Sequence, residues 1–160
     1  MTVIQTKNAN ETKKVASMLA QEAIGAEQDS ALVIALEGDL GAGKTTFVQG
    51  FARALGIKEV IHSPTFLILK TYKIQNKKYK IRHLVHIDCY RLDSSDELLH
   101  LGFKEILKDK DAIVLIEWAD RVHTLLPRDS VWIRFEHGSS SDERFIKFKN
   151  QNERLTCKKH

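Results

Sequence analysis

The sequence predicts an α/β fold, a three-layer sandwich around a mixed, partly parallel sheet. Three observations carry this. Two continuous apolar runs of strand length, ALVIALE (31–37) and AIVLIE (112–117), suit buried parallel strands. Segments of helical period lie between and before them. Alternating segments in the middle and at the end add antiparallel pieces.

In order along the chain, Asn10 is positioned to cap a helix over residues 11–23, with Val15, Leu19 and Ala23 at helical spacing and Gly25 as a stop. A loop, GAEQDS, leads to the first buried strand, followed by a Gly-rich segment. The next helix carries Phe47, Val48, Phe51 and Leu55 on one face and ends near Gly56. Beyond the loop HSPT (62–65), FLILKTY (66–72) and IRHLVHID (81–88) alternate as strands, and the polar KIQNKKYK (73–80) reads as their hairpin connection. Short helices are expected over 95–101 and 104–107. The second buried strand follows, then a helix over 120–126 that Pro127 limits. VWIRFEH (131–137) and ERFIKFK (143–149), separated by GSSSD, read as an antiparallel hairpin. Residues 1–150 are expected to form one domain, with 151–160 a polar tail that frays.

The bulk properties narrow the classes. The 160 residues allow one domain with a real core and leave little room for a second. No apolar run approaches bilayer-spanning length, and the N-terminus lacks the basic start and apolar stretch of a signal peptide. Cys89 and Cys157 have no metal-ligand spacing and read as free thiols of a reducing cytoplasm. The net charge of +4 permits contact with nucleic acid without arguing for it.

The strongest motif is GDLGAGKT (38–45), which fits G-x-x-x-x-G-K-[ST] between an apolar strand and an amphipathic helix. Its glycines let the backbone turn and approach a ligand closely. The backbone N–H groups of Gly41, Ala42, Gly43, Lys44, Thr45 and Thr46 then surround phosphate oxygens at a helix N-terminus. Lys44 reaches the terminal phosphates, and the Thr45 hydroxyl is placed to ligate Mg²⁺. Two acids follow apolar strands, Asp88 after LVHI and Glu117 after IVLI. In a parallel sheet both reach the crevice at its carboxyl edge, where one acid contacts the metal and the other positions metal or water; the residues alone do not say which. In His62-Ser63-Pro64-Thr65, the proline fixes a loop that presents Thr65 either as a γ-phosphate sensor or as an ordinary turn residue.

A guanine-specific switch would carry Asn-Lys-x-Asp after a strand; the nearest string, KDKD (108–111), precedes one and lacks the asparagine. A small-molecule kinase would need an Arg-rich lid, and the arginines are scattered. That kinase is the alternative, and a nucleotide-gated interaction module with negligible hydrolysis is a third reading. The basic segment TYKIQNKKYKIR (71–82) has five cations and no acid. It reads as a solvated sheet edge or as a contact for RNA or an acidic partner.

Taken together, GDLGAGKTTF, SPTF, HIDCYRL with its following acidic helix and LGF, and IEWAD resemble the bacterial TsaE (YjeE-like) family from about residue 12 to residue 126. These are small P-loop ATPases of tRNA threonylcarbamoyladenosine biosynthesis. The resemblance implies a P-loop NTPase-like fold, ATP phosphates held by 41–46, Mg²⁺ held by Thr45 and Glu117, and Asp88 as a functional acid. It puts Thr65, with Ser63, in a switch-like loop, and Thr12 and Trp118 near the nucleotide. It further implies weak ATPase activity in support of a TsaB–TsaD pair that performs the transfer to tRNA, so that contact with tRNA is indirect. The sequence departs from the pattern at Leu67, Cys89 and Ala119, none of which removes a group the site needs, and its lysine-rich hairpin is longer than usual.

Overall fold

A seven-stranded sheet organises the computed structural model, which describes residues 1–149. The strands are β1 (Thr2–Thr6), β2 (Leu32–Gly38), β3 (Leu69–Lys73), β4 (His83–Asp88), β5 (Ala112–Glu117), β6 (Val131–His137) and β7 (Arg144–Lys149). The helices are α1 (Ala9–Gly25), α2 (Lys44–Ala54), α3 (Asp96–His100) and α4 (Phe103–Lys108), with 3₁₀ turns across Ala119–Leu125. The sheet order is β1-β7-β6-β2-β5-β4-β3. The central four, β6-β2-β5-β4, run parallel, and the remaining three pair antiparallel to their neighbours.

Both faces of the sheet are covered, which is why the central strands read as unbroken apolar runs. One core joins Ile34, Leu36, Leu115 and Ile133 to Ala16 and Ala20 of α1 and to Phe47 and Phe51 of α2. The other joins Val33, Ala35, Val114 and Ile116 to Leu98 of α3, Phe103 of α4 and Val122.

Several details differ from expectation. Helix α1 starts two residues earlier than the predicted Asn10 cap: Asn8 accepts the Glu11 N–H at 3.0 Å, and the Glu11 carboxylate accepts from the Lys7 N–H at 2.7 Å. That reciprocal arrangement satisfies two donors at once and outcompetes the second asparagine. The buried stripe of α1 is Thr12, Ala16, Ala20 and Ala23, while Val15 and Leu19 are only partly buried. The reason is close helix packing. A Cβ added to Gly50 of α2 would sit 2.6 Å from Lys13 Cα, so only a small-residue face of α1 fits there.

Strand β1 is an addition, pairing antiparallel with β7 at the sheet edge. The strand expected from residue 66 begins at Leu69, because the chain first turns at Pro64, whose carbonyl accepts from the Leu67 and Ile68 N–H groups. The segment over 120–126 is 3₁₀ rather than α-helical and is interrupted at Val122. The tail after Asn150 lies outside the described residues. No helix among the described residues is long and apolar enough to cross a membrane.

Candidate functional site

The carboxyl ends of β2, β4 and β5 and the N-terminus of α2 converge on a cleft of about 310 Å³. Its floor is the Gly-rich turn. Gly38 holds φ +142° hard against the Phe135 backbone, where a side chain would clash, and Gly43 caps α2 at φ +106°. No side chain caps that helix, which leaves its N-terminus to an anion. Gly41, Gly43, Lys44, Thr45 and Thr46 line the cleft. Ala42 does not: its side chain is buried in the core behind the loop, so it offers the cleft only backbone.

Lys44 is buried, donates to the Gly38 and Asp39 carbonyls at 2.5 and 2.9 Å, and lies 4.1 Å from the Trp118 ring centroid. Burial lowers its pKa, against the opposing pull of Glu117 and Asp88. Trp118 adopts a left-handed conformation (φ 56°), uncommon for a bulky residue. That turn redirects the chain at the end of β5 and brings the indole to the cleft, its ring centroid 5.0 Å from that of Tyr90 with the planes inclined by 46°.

Asp88 and Glu117 face each other as a register pair of the parallel β4–β5 ladder. Both are buried, at 3% and 2% exposure. The Thr45 hydroxyl donates to Glu117 Oε1 at 2.6 Å. Asp88 accepts from the Tyr90 N–H at 2.9 Å, from the Thr65 hydroxyl at 3.1 Å and from Ser63. Ser63 Oγ also lies 3.1 Å from Glu117 Oε2. One hydroxyl proton cannot serve two carboxylates. Burial pushes the Glu117 carboxyl up, but contacts with His86, Thr45 and Asp88 outweigh it and hold the group below the usual carboxylate range. The site therefore concentrates negative charge among oxygen donors. That donor set suits a hard cation such as Mg²⁺, which is held by one or two carboxylates together with substrate phosphates and water. Among the described residues no group of three or more His, Cys, Asp and Glu side chains forms an all-protein metal cage.

The model of the family described as "Threonylcarbamoyl adenosine biosynthesis protein TsaE" matches residues 6–146. The chain belongs to the TsaE family. Among its relatives, the tRNA threonylcarbamoyladenosine biosynthesis protein TsaE of Bacillus subtilis is 39% identical over 144 residues, covering 90% of this chain and 82% of the relative. The protein of the same name from Rickettsia felis is 38% identical over 130 residues, covering 81% and 69%. The crystal structure of Bacillus subtilis YdiB superposes with a TM-score of 0.72 at 32% identity, covering 98% of this chain and 91% of that one. The three-layer, partly parallel P-loop NTPase-like fold is thus shared with that crystal structure.

In this TsaE-family chain the predicted residues Thr12, Lys44, Thr45, Thr46, Ser63, Thr65, Asp88, Glu117 and Trp118 all line one cleft. Thr12 is buried and shares a 2.9 Å hydroxyl contact with Thr6, which ties α1 to β1 at the cleft wall. Ala9, Leu40 and Tyr90 also line it without having been predicted, as do Asp142 and Arg144. The last two come from the β6–β7 hairpin, about a hundred positions from the Gly-rich turn. Arg144 donates to the Gly41 carbonyl at 3.0 Å, and His137 of the same hairpin contacts the Leu40 carbonyl at 3.2 Å. No local pattern marks these residues, since a strand-end arginine in a polar hairpin is ordinary.

In the basic segment, Tyr72 is buried and Tyr79 packs against the core, so neither ring is free as a platform for stacking bases. Arg82 is turned back onto the Asn76, Lys77 and Tyr79 carbonyls.

Proposed function

We propose that this protein is a Mg²⁺-dependent ATPase that supports tRNA threonylcarbamoyladenosine modification in the cytoplasm. On this reading it acts beside a TsaB–TsaD pair and does not perform the transfer itself. The observation that carries it is the buried Asp88–Glu117 pair, joined to the phosphate-loop hydroxyl of Thr45 and the loop hydroxyls of Ser63 and Thr65.

In this reading Thr45 and Glu117 hold the cation, because their side chains already meet at 2.6 Å. Mg²⁺, when bound, would draw charge from the phosphate oxygens. Lys44 leaves its loop carbonyls for the terminal phosphates, and the amides of residues 41–46 cradle the remainder. Asp88 orients the attacking water with Thr65. Trp118 closes the cleft over Lys44 and excludes bulk water.

Coupling to a partner requires that ATP and ADP states differ in partner affinity. The 62–65 loop is suited to this. Its Ser63 and Thr65 hydroxyls sit on the acids, and the adjoining Phe66 and Leu67 are 82% and 68% exposed. A shift of Thr65 on γ-phosphate loss therefore moves apolar surface directly.

The test is phosphate release from ATP, alone and with a TsaB–TsaD pair, together with a search for a phosphorylated small-molecule acceptor. Slow release that the pair stimulates supports the reading. A phosphorylated acceptor indicates the kinase instead. No release in either condition indicates a nucleotide-gated binding module.

A further inference from the structure

Behind the two carboxylates lies a buried imidazole that none of these roles uses. His86 is on β4, two residues before Asp88, and has no solvent exposure. Neither ring nitrogen has a hydrogen-bond partner among the described residues. Its Nε2 lies 3.8 Å from Glu117 Oε1. That exceeds the about 2.7–3.2 Å of an N–H···O bond by well under the reach of a side-chain adjustment.

Strand geometry explains the placement. His86 and Asp88 share one face of β4 by alternation, and the register pairs Asp88 with Glu117 on the same face of β5. Glu117 then receives Thr45 on Oε1 and stands 3.1 Å from Ser63 on Oε2, from the cleft side. The second lone pair of Oε1 is left for a donor inside the sheet layer. A glutamate has three side-chain torsions, so a carboxylate anchored only from the cleft can swivel when a cation arrives. Buried polar groups in native proteins are nearly always paired, which makes an idle donor beside an ionised acceptor informative.

We propose that His86 is a positioning residue for Glu117. With its proton on Nε2 it donates to Oε1 from behind, and it fixes the plane of the carboxylate that meets the metal. This rests on the magnesium reading above. Ligating carboxylates held this way typically lose about 10- to 100-fold in metal affinity or activity when the supporting group is removed.

The experiment is calorimetric titration of ADP into the full chain, with excess Mg²⁺ and with EDTA, for wild type, His86→Leu, His86→Gln and His86→Asn. The expected result is an EDTA affinity within about twofold of wild type in all four, with the magnesium-dependent gain cut about tenfold in His86→Leu. Gln, which keeps a donor at similar reach, recovers most of that gain; Asn, which is shorter, does not. If His86→Leu fails to fold, the Gln–Asn difference carries the same information. A full gain in Leu or Asn overturns the proposal. So does a parallel loss in both conditions with Gln no better, which would make His86 a packing residue. A wild-type protein with no magnesium-dependent gain overturns the magnesium reading itself, and this proposal with it.

Discussion

Replacing Gly50 with alanine should loosen the whole cleft from a position outside it. A Cβ at residue 50 would lie 2.6 Å from Lys13 Cα and 2.7 Å from the Lys13 carbonyl oxygen. Carbon atoms pack at about 3.5–4.0 Å, so α1 and α2 must part by about 1 Å. The obstacle is backbone and cannot rotate away. Overpacking of this kind costs about 1–3 kcal/mol. The better helix propensity of alanine returns up to about 1 kcal/mol. The net expectation is a loss of about 1–2 kcal/mol, read as a fall in Tm of about 2–4 °C per kcal/mol for a chain of this size. Because α1 supplies Thr12 and α2 supplies Lys44 and Thr45 to the cleft, nucleotide affinity should fall as well. Thermal and urea melts, with ADP titrations at a temperature where both proteins are folded, check this. Gly25→Ala is the control: nothing lies within 4 Å of its added Cβ, and it should be neutral or slightly stabilising. A Gly50→Ala protein as stable as wild type would refute the close-packing argument.

Other expectations concern the site. Lys44→Ala should abolish nucleotide turnover, and undiminished phosphate release would sink the ATPase assignment. Thr65→Ala removes one donor to Asp88 and should weaken nucleotide-dependent binding of a TsaB–TsaD pair more than ATP binding itself; equal partner affinity across nucleotide states in the wild type counts against a switch. Burial and the neighbouring Asp88 push the Cys89 thiol up to about 12. It should therefore resist alkylation at pH 8 in a Cys157→Ser background until denaturant is added, and rapid labelling of the folded protein would contradict this. The same burial keeps the native thiol neutral while an unfolded one ionises above about pH 8.5, so Cys89 lowers stability as pH rises beyond that point; a Cys89→Ala variant should show a flatter alkaline limb in its melts.

The parts of the site legible in sequence are those that phosphate chemistry forces into one contiguous segment. Gly38 through Thr46 must be a strand-to-helix turn for backbone amides to converge, so its spacing is visible. Asp88 and Glu117 were legible because each ends an apolar run, and parallel strands bring their carboxyl ends to one edge. Arg144 was not, since its contact with the Gly41 carbonyl spans 103 positions and depends on the order β7-β6-β2. Strand β1 is not legible because four of its five residues are not buried, leaving no core-facing pattern to read. Its stability comes from pairing with β7, a tertiary fact. Periodicity points to Val15 and Leu19 on α1, whereas close helix contact at Gly50 favours the small Ala16 and Ala20, reversing the usual weight given to bulk.

The pairing of β1 with β7 has a consequence for how this chain is made. Residue 2 meets residue 148 and residue 6 meets residue 144, so the first strand to leave a ribosome waits for the last described one. Thr12, tied to Thr6, and Arg144, which braces the Gly-rich turn, come from those same two ends. The central parallel strands can begin to collapse earlier, but the cleft acquires both walls only when nearly all of the 149 described residues have emerged. Loop closure over such a span is slow relative to local contacts. A polypeptide cut short within the β6–β7 hairpin would carry an intact Gly-rich turn and yet lack the partner of β1 and the Arg144 brace. The cleft in this architecture is thus complete only once translation has run through β7.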